Sequence, residues 1–254
     1  MDRVLLEICT GSINDALAAE VGGADRIELN SSLLLGGLTP SLGTLIEAKR
    51  HLHLPVICMV RPRAGGFCYT PEEMKVMEAD AELLVSHGAD GIVLGILTPD
   101  GEVDAVRTKR LIGRVGAKEV VFHRAFDVVP DPFRALDQLV DLGVRRILTS
   151  GQENSCYNGA DLIRRLIECA GDRVEILPGG GIDRFNLADV VARTGCRQVH
   201  MAPLTSRADT STDLRPHVYF GGELRPPENS FSVVDTHEVR GAVNLLSKLH
   251  GANP

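Results

Sequence analysis

The stretch GADRIEL at residues 23–29 decides the fold class, because it ends a helical pattern with glycine and leads straight into an apolar run. The same arrangement returns as GADGIVL at 88–94, GVRRILT at 143–149 and GCRQVHM at 195–201. A glycine in this place suits the left-handed end of a helix, and the residues after it are typical of a buried strand. The chain therefore repeats a helix-to-strand unit four times.

Four further apolar runs lie between these units, at residues 4–9, 56–60, 119–126 and 173–177. Helix starts are indicated by a capping side chain followed by proline at Thr39-Pro40, Thr70-Pro71 and Asp131-Pro132. Eight strands that alternate with helices predict a TIM (β/α)8 barrel of the α/β class. We expect residues 1–254 to form this single domain, with a long loop at about 204–232 before the last helix. An open doubly wound sheet is the alternative, but its glycine-rich first turn is missing.

Composition excludes several classes of protein. The 254 residues carry 27 Lys and Arg against 34 Asp and Glu, so we expect no nucleic-acid partner. The sequence has neither a long uncharged apolar window nor a signal-peptide pattern in its first twenty residues, which predicts no membrane association and a cytoplasmic location. Six scattered cysteines indicate reduced thiols. A homo-oligomer, either a dimer or a tetramer, stays open.

Strand alternation predicts which side chains point into the barrel. The helix-facing positions of the repeated strands are apolar, as at Ile27 and Leu29, which places their neighbours inside. Barrel interiors are normally filled by Val, Ile and Leu. The inward residues predicted near the carboxyl ends of these strands are instead Glu7, Cys9, Glu28, Asn30, Met59, Arg61, Arg63, His123, Asp127, Ser150 and His200. They predict a polar site at the barrel mouth; an internal salt-bridge network, with Arg61 against Glu7 and Glu28, is the alternative.

Two kinds of chemistry suit such a mouth. Arginine forks bind carboxylate or phosphate oxygens, and glycines before a helix free backbone N–H groups for an anion. The residues predicted to bind a small anionic or phosphorylated substrate are Arg61, Arg63, Arg124, Ser150, Gly179, Gly180 and Gly181. The candidate acid–base residues are Glu7, Glu28, His123, Asp127 and His200. They describe a barrel enzyme of the lyase, isomerase or hydrolase type, and no lysine is placed for Schiff-base chemistry.

The second chemistry is soft-metal binding. Cys9, Met59 and His200 all point inward by the same alternation, and strand eight closes against strand one in a barrel. Thiolate, thioether and imidazole are ligands that suit Cu(I). The sequence therefore leaves two hypotheses open, a copper-binding protein and an enzyme acting on a small anion.

The chain resembles the copper homeostasis protein CutC family over nearly its whole length. The matching segments are residues 7–9, 22–29, 36–41, 61–63, 122–127, 147–151 and 178–182. The resemblance implies a cytoplasmic TIM barrel that takes part in copper homeostasis and that, in some members, binds Cu(I) through cysteines at the ends of strands one and two. Cys9 matches the first of these positions.

The chain departs from the family pattern at three places. Asn30 stands at the second cysteine position, Gly66 precedes Phe67 where the family usually has Asp, and Met201-Ala202 follows His200 in place of small hydroxyl residues. Since one thiol is left, we expect weak Cu(I) binding that depends on Cys9, with Met59 or His200 as helpers.

Overall fold

Eight parallel strands form the centre of the computed structural model, which describes residues 3–251. They are β1 (Leu5–Thr10), β2 (Arg26–Leu29), β3 (Val56–Met59), β4 (Gly91–Leu94), β5 (Glu119–Phe122), β6 (Arg146–Thr149), β7 (Glu175–Pro178) and β8 (Gln198–Met201). Each strand pairs with its neighbour in sequence, β1 also pairs with β8, and a parallel bridge from Gly179 to His200 completes the circle. The predicted TIM barrel is confirmed.

Eight helices follow the strands in alternation. They are α1 (Ile13–Gly22), α2 (Leu42–His51), α3 (Pro71–Ser86), α4 (Ala105–Val115), α5 (Pro132–Asp141), α6 (Ala160–Ala170), α7 (Leu187–Thr194) and α8 (Thr236–Gly251). Thr70 and Glu73 form a reciprocal capping box at α3, and Asp131 caps α5 as expected. Helix α2 begins two residues later than Pro40 suggested, because the side chain of Ser41 is the cap that accepts from Thr44 N–H.

The barrel interior is divided into an apolar and a polar side. The apolar side is a separate buried cluster of Ile57, Met59, Val93, Val121, Leu148 and Leu177. The polar side belongs to three adjacent strands, where Glu7, Cys9, Glu28 and His200 project from β1, β2 and β8. Inward and outward positions follow the predicted alternation, so Cys58 packs in the outer core while Met59 lies inside.

Below the polar side lies a buried ionic layer that the sequence argument missed. Arg26 donates to a carboxylate oxygen of Glu7 and, at 2.9 Å, to Gln198 Oε1. Arg146 contacts Glu119 and Glu175 across the same end of the barrel. The alternative is therefore right in that Glu7 lies in an internal ionic network, but its cation is Arg26, whereas Arg61 donates to backbone carbonyls.

The segment predicted as a long loop contains regular structure. Strands β9 (Leu204–Ala208) and β10 (Ser230–Val234) form an antiparallel ribbon, which ends where α8 begins. All five residues of β9 are exposed, so this strand lacks the apolar run by which buried strands are predicted. Within residues 3–251, no helix is long and apolar enough to cross a membrane.

Replacing Arg26 with Met should lower the free energy of unfolding by about 3–5 kcal/mol, because Glu7 would keep its buried charge without its strongest cationic neighbour. Urea denaturation checks this. The matched control is Arg173→Met, whose exposed pair with Asp137 should contribute less than about 1 kcal/mol. Equal losses in the two variants would show that the buried pair is dispensable.

Candidate functional site

Three side chains meet where β1, β2 and β8 lie side by side. The Cys9 Sγ is 3.7 Å from Glu28 Oε2, and His200 Nε2 is 3.9 Å from the same oxygen. One ligand atom from each residue lies within 4.8 Å of the other two. Thiolate, imidazole and carboxylate are all metal ligands, so this triangle could hold a metal ion.

Glu7 orients the imidazole of His200. Its Oε1 lies 2.7 Å from His200 Nδ1, which leaves Nε2 directed toward Cys9 and Glu28. A carboxylate behind a histidine is a common support for a metal ligand, because it selects the tautomer and the ring orientation. Sequence alternation had placed both residues inside, and the structure adds that they are partners.

Charge in this cluster is set by mutual contacts. Burial alone would raise the pKa of Glu7, but Arg26 and His200 hold it well below its usual range. Burial would lower the pKa of His200, yet Glu28, Cys9 and Glu7 raise it well above its ordinary value. Burial raises the pKa of Glu28 and of the Cys9 thiol. The cluster thus contains an ionised carboxylate beside an imidazolium.

Asn30 completes the triangle at the end of β2. Its amide nitrogen donates to Glu28 Oε2 at 2.8 Å and to Cys9 Sγ at 3.5 Å. The residue at the second thiol position is therefore part of the cluster as a hydrogen-bond donor. Asn30 thus holds the Glu28 carboxylate beside the Cys9 sulfur, and its own amide is not a soft metal ligand.

His123 lies elsewhere in the mouth, at the end of β5. Its Nδ1 accepts from Ala125 N–H at 3.0 Å, which assigns the remaining proton of the neutral ring to Nε2. Burial and the nearby Arg61 lower the pKa of His123 to about 3. The ring packs against Phe67, with centroids 5.0 Å apart.

The two arginines after β3 are already engaged. Arg61 donates from Nη1 to the carbonyls of Leu35 and Gly37, and from Nη2 to that of Gly65. Arg63 is bound by the Glu73 carboxylate at the start of α3. Both forks therefore fasten loops to the barrel, and the predicted role of Arg63 in anion binding stays a prediction.

A third polar group surrounds Asp127. Its carboxylate accepts from Arg124 Nε at 2.8 Å, from the Thr149 hydroxyl and from the Ser150 backbone and hydroxyl. These bonds build the loop after β6, so the structure gives Asp127, Arg124 and Ser150 a positioning role. Gly180 lies close by, since a Cβ on it would approach the Arg124 guanidinium to 3.2 Å. Phosphate binding by Gly179, Gly180 and Gly181 stays a prediction.

The structure thus brings some predicted residues together and separates others. One cluster contains Glu7, Cys9, Glu28 and His200. The side chains of His123 and Arg61 both pack against the ring of Phe67. Met59 lies apart from both, in the apolar cluster. Sequence reasoning missed Arg26 and the donor role of Asn30. Extending the alternation two positions back along β2 from Glu28 would have placed Arg26 inside.

Comparisons with known proteins agree on one family. The model of the CutC family matches residues 4–205. A CutC family protein of Treponema denticola is 51% identical over 97% of this chain and 100% of its own length. The human copper homeostasis protein cutC homolog is 42% identical, covering 96% of this chain and 89% of its own.

Solved structures show the same fold. The crystal structure of the putative copper homeostasis protein CutC from Streptococcus agalactiae has a TM-score of 0.75 and 37% identity, over 78% of this chain and 97% of that one. An N-(5'-phosphoribosyl)anthranilate isomerase from Pyrococcus furiosus has a TM-score of 0.57 at 13% identity, covering 96% of this chain and 99% of that one. This second likeness concerns the barrel alone.

The depressed pKa of His123 predicts a loss of stability in mild acid. An unfolded histidine titrates near 6.5 and the folded one near 3, so the unfolded chain binds more protons between these values. The free energy of unfolding should fall as the pH drops from 6.5 to 5, by up to about 1.4 kcal/mol per pH unit from this residue.

Urea denaturation at several pH values in this window measures the slope, which should become flatter in His123→Phe. Exposed His51 provides the control, since His51→Gln should leave the slope unchanged. Identical slopes for wild type and His123→Phe would contradict a buried, neutral imidazole.

Proposed function

The chain belongs to the CutC copper homeostasis family, and on that premise we propose that it carries one Cu(I) ion as cargo between Cys9 and His200. The observation that supports this most is the convergence of Cys9 Sγ and His200 Nε2, with Nδ1 of the imidazole already committed to Glu7. A thiolate and an imidazole are suitable ligands for Cu(I), so binding would release the protons held by the Cys9 thiol and by Nε2 of the His200 imidazolium.

The affinity is expected to be modest. Cu(I) prefers sulfur, and the position that could add a second thiol holds Asn30. Glu28 is a hard ligand that better suits a divalent ion, and Met59 belongs to the apolar cluster on the other side of the barrel. A weakly held ion is compatible with cargo that is passed on to another protein.

We also propose a cytoplasmic location. Six cysteines are free in the described part of the chain, and free thiols are typical of a reducing compartment. Neither the copper proposal nor the location depends on oligomeric state, and a dimer or tetramer remains a prediction from the sequence.

Replacing Cys9 with Ser should weaken Cu(I) binding by about a hundredfold, because the only thiol of the cluster is lost; this corresponds to about 2.7 kcal/mol. Competition against a colorimetric Cu(I) chelator under reducing conditions measures the affinity. His200→Gln should also weaken binding, by about tenfold or more.

Cys169→Ser is the matched control, since Cys169 is exposed on α6 and remote from the barrel mouth. Thermal melts establish that each variant is folded. The copper proposal fails if sub-picomolar binding persists in Cys9→Ser, or if the two serine variants lose affinity equally.

A further inference from the structure

Four buried polar atoms at the barrel mouth have no hydrogen-bond partner among residues 3–251. They are Arg61 Nε, His123 Nε2, Asn30 Oδ1 and Glu28 Oε1. All four side chains are more than nine-tenths buried. Buried polar atoms are nearly always paired in native proteins, so these atoms are available to a bound water or to a ligand.

Arg61 also carries a charge without a counterion. Its guanidinium donates to three backbone carbonyls and lies beside the buried hydroxyl of Tyr69, and no carboxylate lies within ion-pair distance of it in the described part of the chain. The residue is 7% exposed. An uncompensated buried cation is unfavourable, and an anion close to the free Nε–H would relieve it.

His123 adds a second N–H donor at the mouth. Because Nδ1 accepts from the Ala125 backbone, the neutral ring presents Nε2–H to the mouth. Arg61 and His123 pack against one aromatic ring, with the Arg61 Cζ 5.4 Å and the imidazole centroid 5.0 Å from the centre of Phe67. Two N–H donors beside one cation favour a carboxylate, whose oxygens accept only.

Asn30 supplies the complementary acceptor. Its amide nitrogen is used by Glu28 and Cys9, while Oδ1 is free and faces the loop at Gly37, where a Cβ would come within 2.5 Å of it. The carbonyl of Gly37 in turn accepts from Arg61 at 3.0 Å. Gly37 thus lies against the Asn30 side chain and is hydrogen-bonded to Arg61.

Arg61 also fastens two loops at the mouth. Arg61 ties the carbonyls of Leu35 and Gly37 from the loop after β2, and that of Gly65 from the loop after β3. Both loops are therefore held over the mouth by the residue that would meet the ligand.

We propose that the barrel mouth binds a small carboxylate with a hydrogen-bond donor on the adjacent carbon, an α-hydroxy acid. The carboxylate accepts from Arg61 Nε–H and His123 Nε2–H, and the hydroxyl donates to Asn30 Oδ1. The Cys9 thiol is not one of these three contacts and meets the site only through its hydrogen bond from the Asn30 amide nitrogen.

Glycolate is the probe, and acetate, which lacks the hydroxyl, is its matched ligand control. Isothermal titration of the full chain should give a glycolate dissociation constant of about 1 mM, a value in keeping with five heavy atoms. Acetate should bind at least fivefold more weakly. Cys9→Ser should still bind glycolate, because the serine hydroxyl can accept the Asn30 N–H in place of the thiol.

Two variants test the donors. Arg61→Met should abolish glycolate binding, and His123→Phe, which keeps a ring against Phe67, should weaken it at least tenfold. Arg173→Met changes a remote exposed arginine and should leave the affinity unchanged.

Three results would overturn the proposal. These are no heat from the folded wild type at about 50 mM glycolate, equal affinities for glycolate and acetate, and unchanged glycolate binding in His123→Phe. If Arg61→Met does not fold, His123→Phe and the ligand pair still decide the outcome. Glycolate binding and Cu(I) binding are measured separately, so failure of one leaves the other intact.

Discussion

The buried carboxylate of Glu7 links the three strands on which the polar side of the barrel depends. It accepts from Arg26 on β2 and lies 2.7 Å from His200 Nδ1 on β8, so one side chain of β1 connects both neighbours. A buried charge is tolerated only where partners surround it, which explains why cation and imidazole are both present. The orientation of His200 toward Cys9 follows from this arrangement.

The cluster around Glu7 faces an apolar half of the barrel interior. Opposite the polar strands, the apolar cluster around Val93 and Leu148 fills the barrel as an ordinary core would. Weak screening in such surroundings strengthens each electrostatic contact, and the shifts in the pKa values of Glu7 and His200 reflect it. A donor or acceptor left without a partner is correspondingly costly there.

The candidate site residues all lie within the part of the chain that the family model covers. Cys9, Glu28, His123 and His200 fall inside residues 4–205, whereas the β9–β10 ribbon and α8 come after it. The Streptococcus agalactiae structure likewise matches only 78% of this chain. The Treponema denticola and human relatives align over 97% and 96% of this chain, so those alignments also include the ribbon. Because Asn30 stands at the position of the second cysteine, the cluster at the mouth of this barrel contains one thiol, that of Cys9.

Local patterns were sufficient for the fold and for the inner face. Glycine-ended helices followed by apolar runs predicted eight strands, and alternation alone placed Glu7, Glu28 and His200 inside, since both signals depend on near neighbours in sequence. The exposed β9 strand escaped prediction because it has no buried face.

Pairing between distant residues could not be predicted in the same way. Only the closed barrel places Glu7 beside Arg26 and His200, which are 19 and 193 positions away in the sequence. Only the packing of the loops brings backbone carbonyls within hydrogen-bond distance of Arg61. Alternation determines the face of a strand, whereas register, loop conformation and burial determine which partner a charge meets. The sequence therefore determined which residues line the barrel, and tertiary structure decided how they pair and which polar atoms stay free.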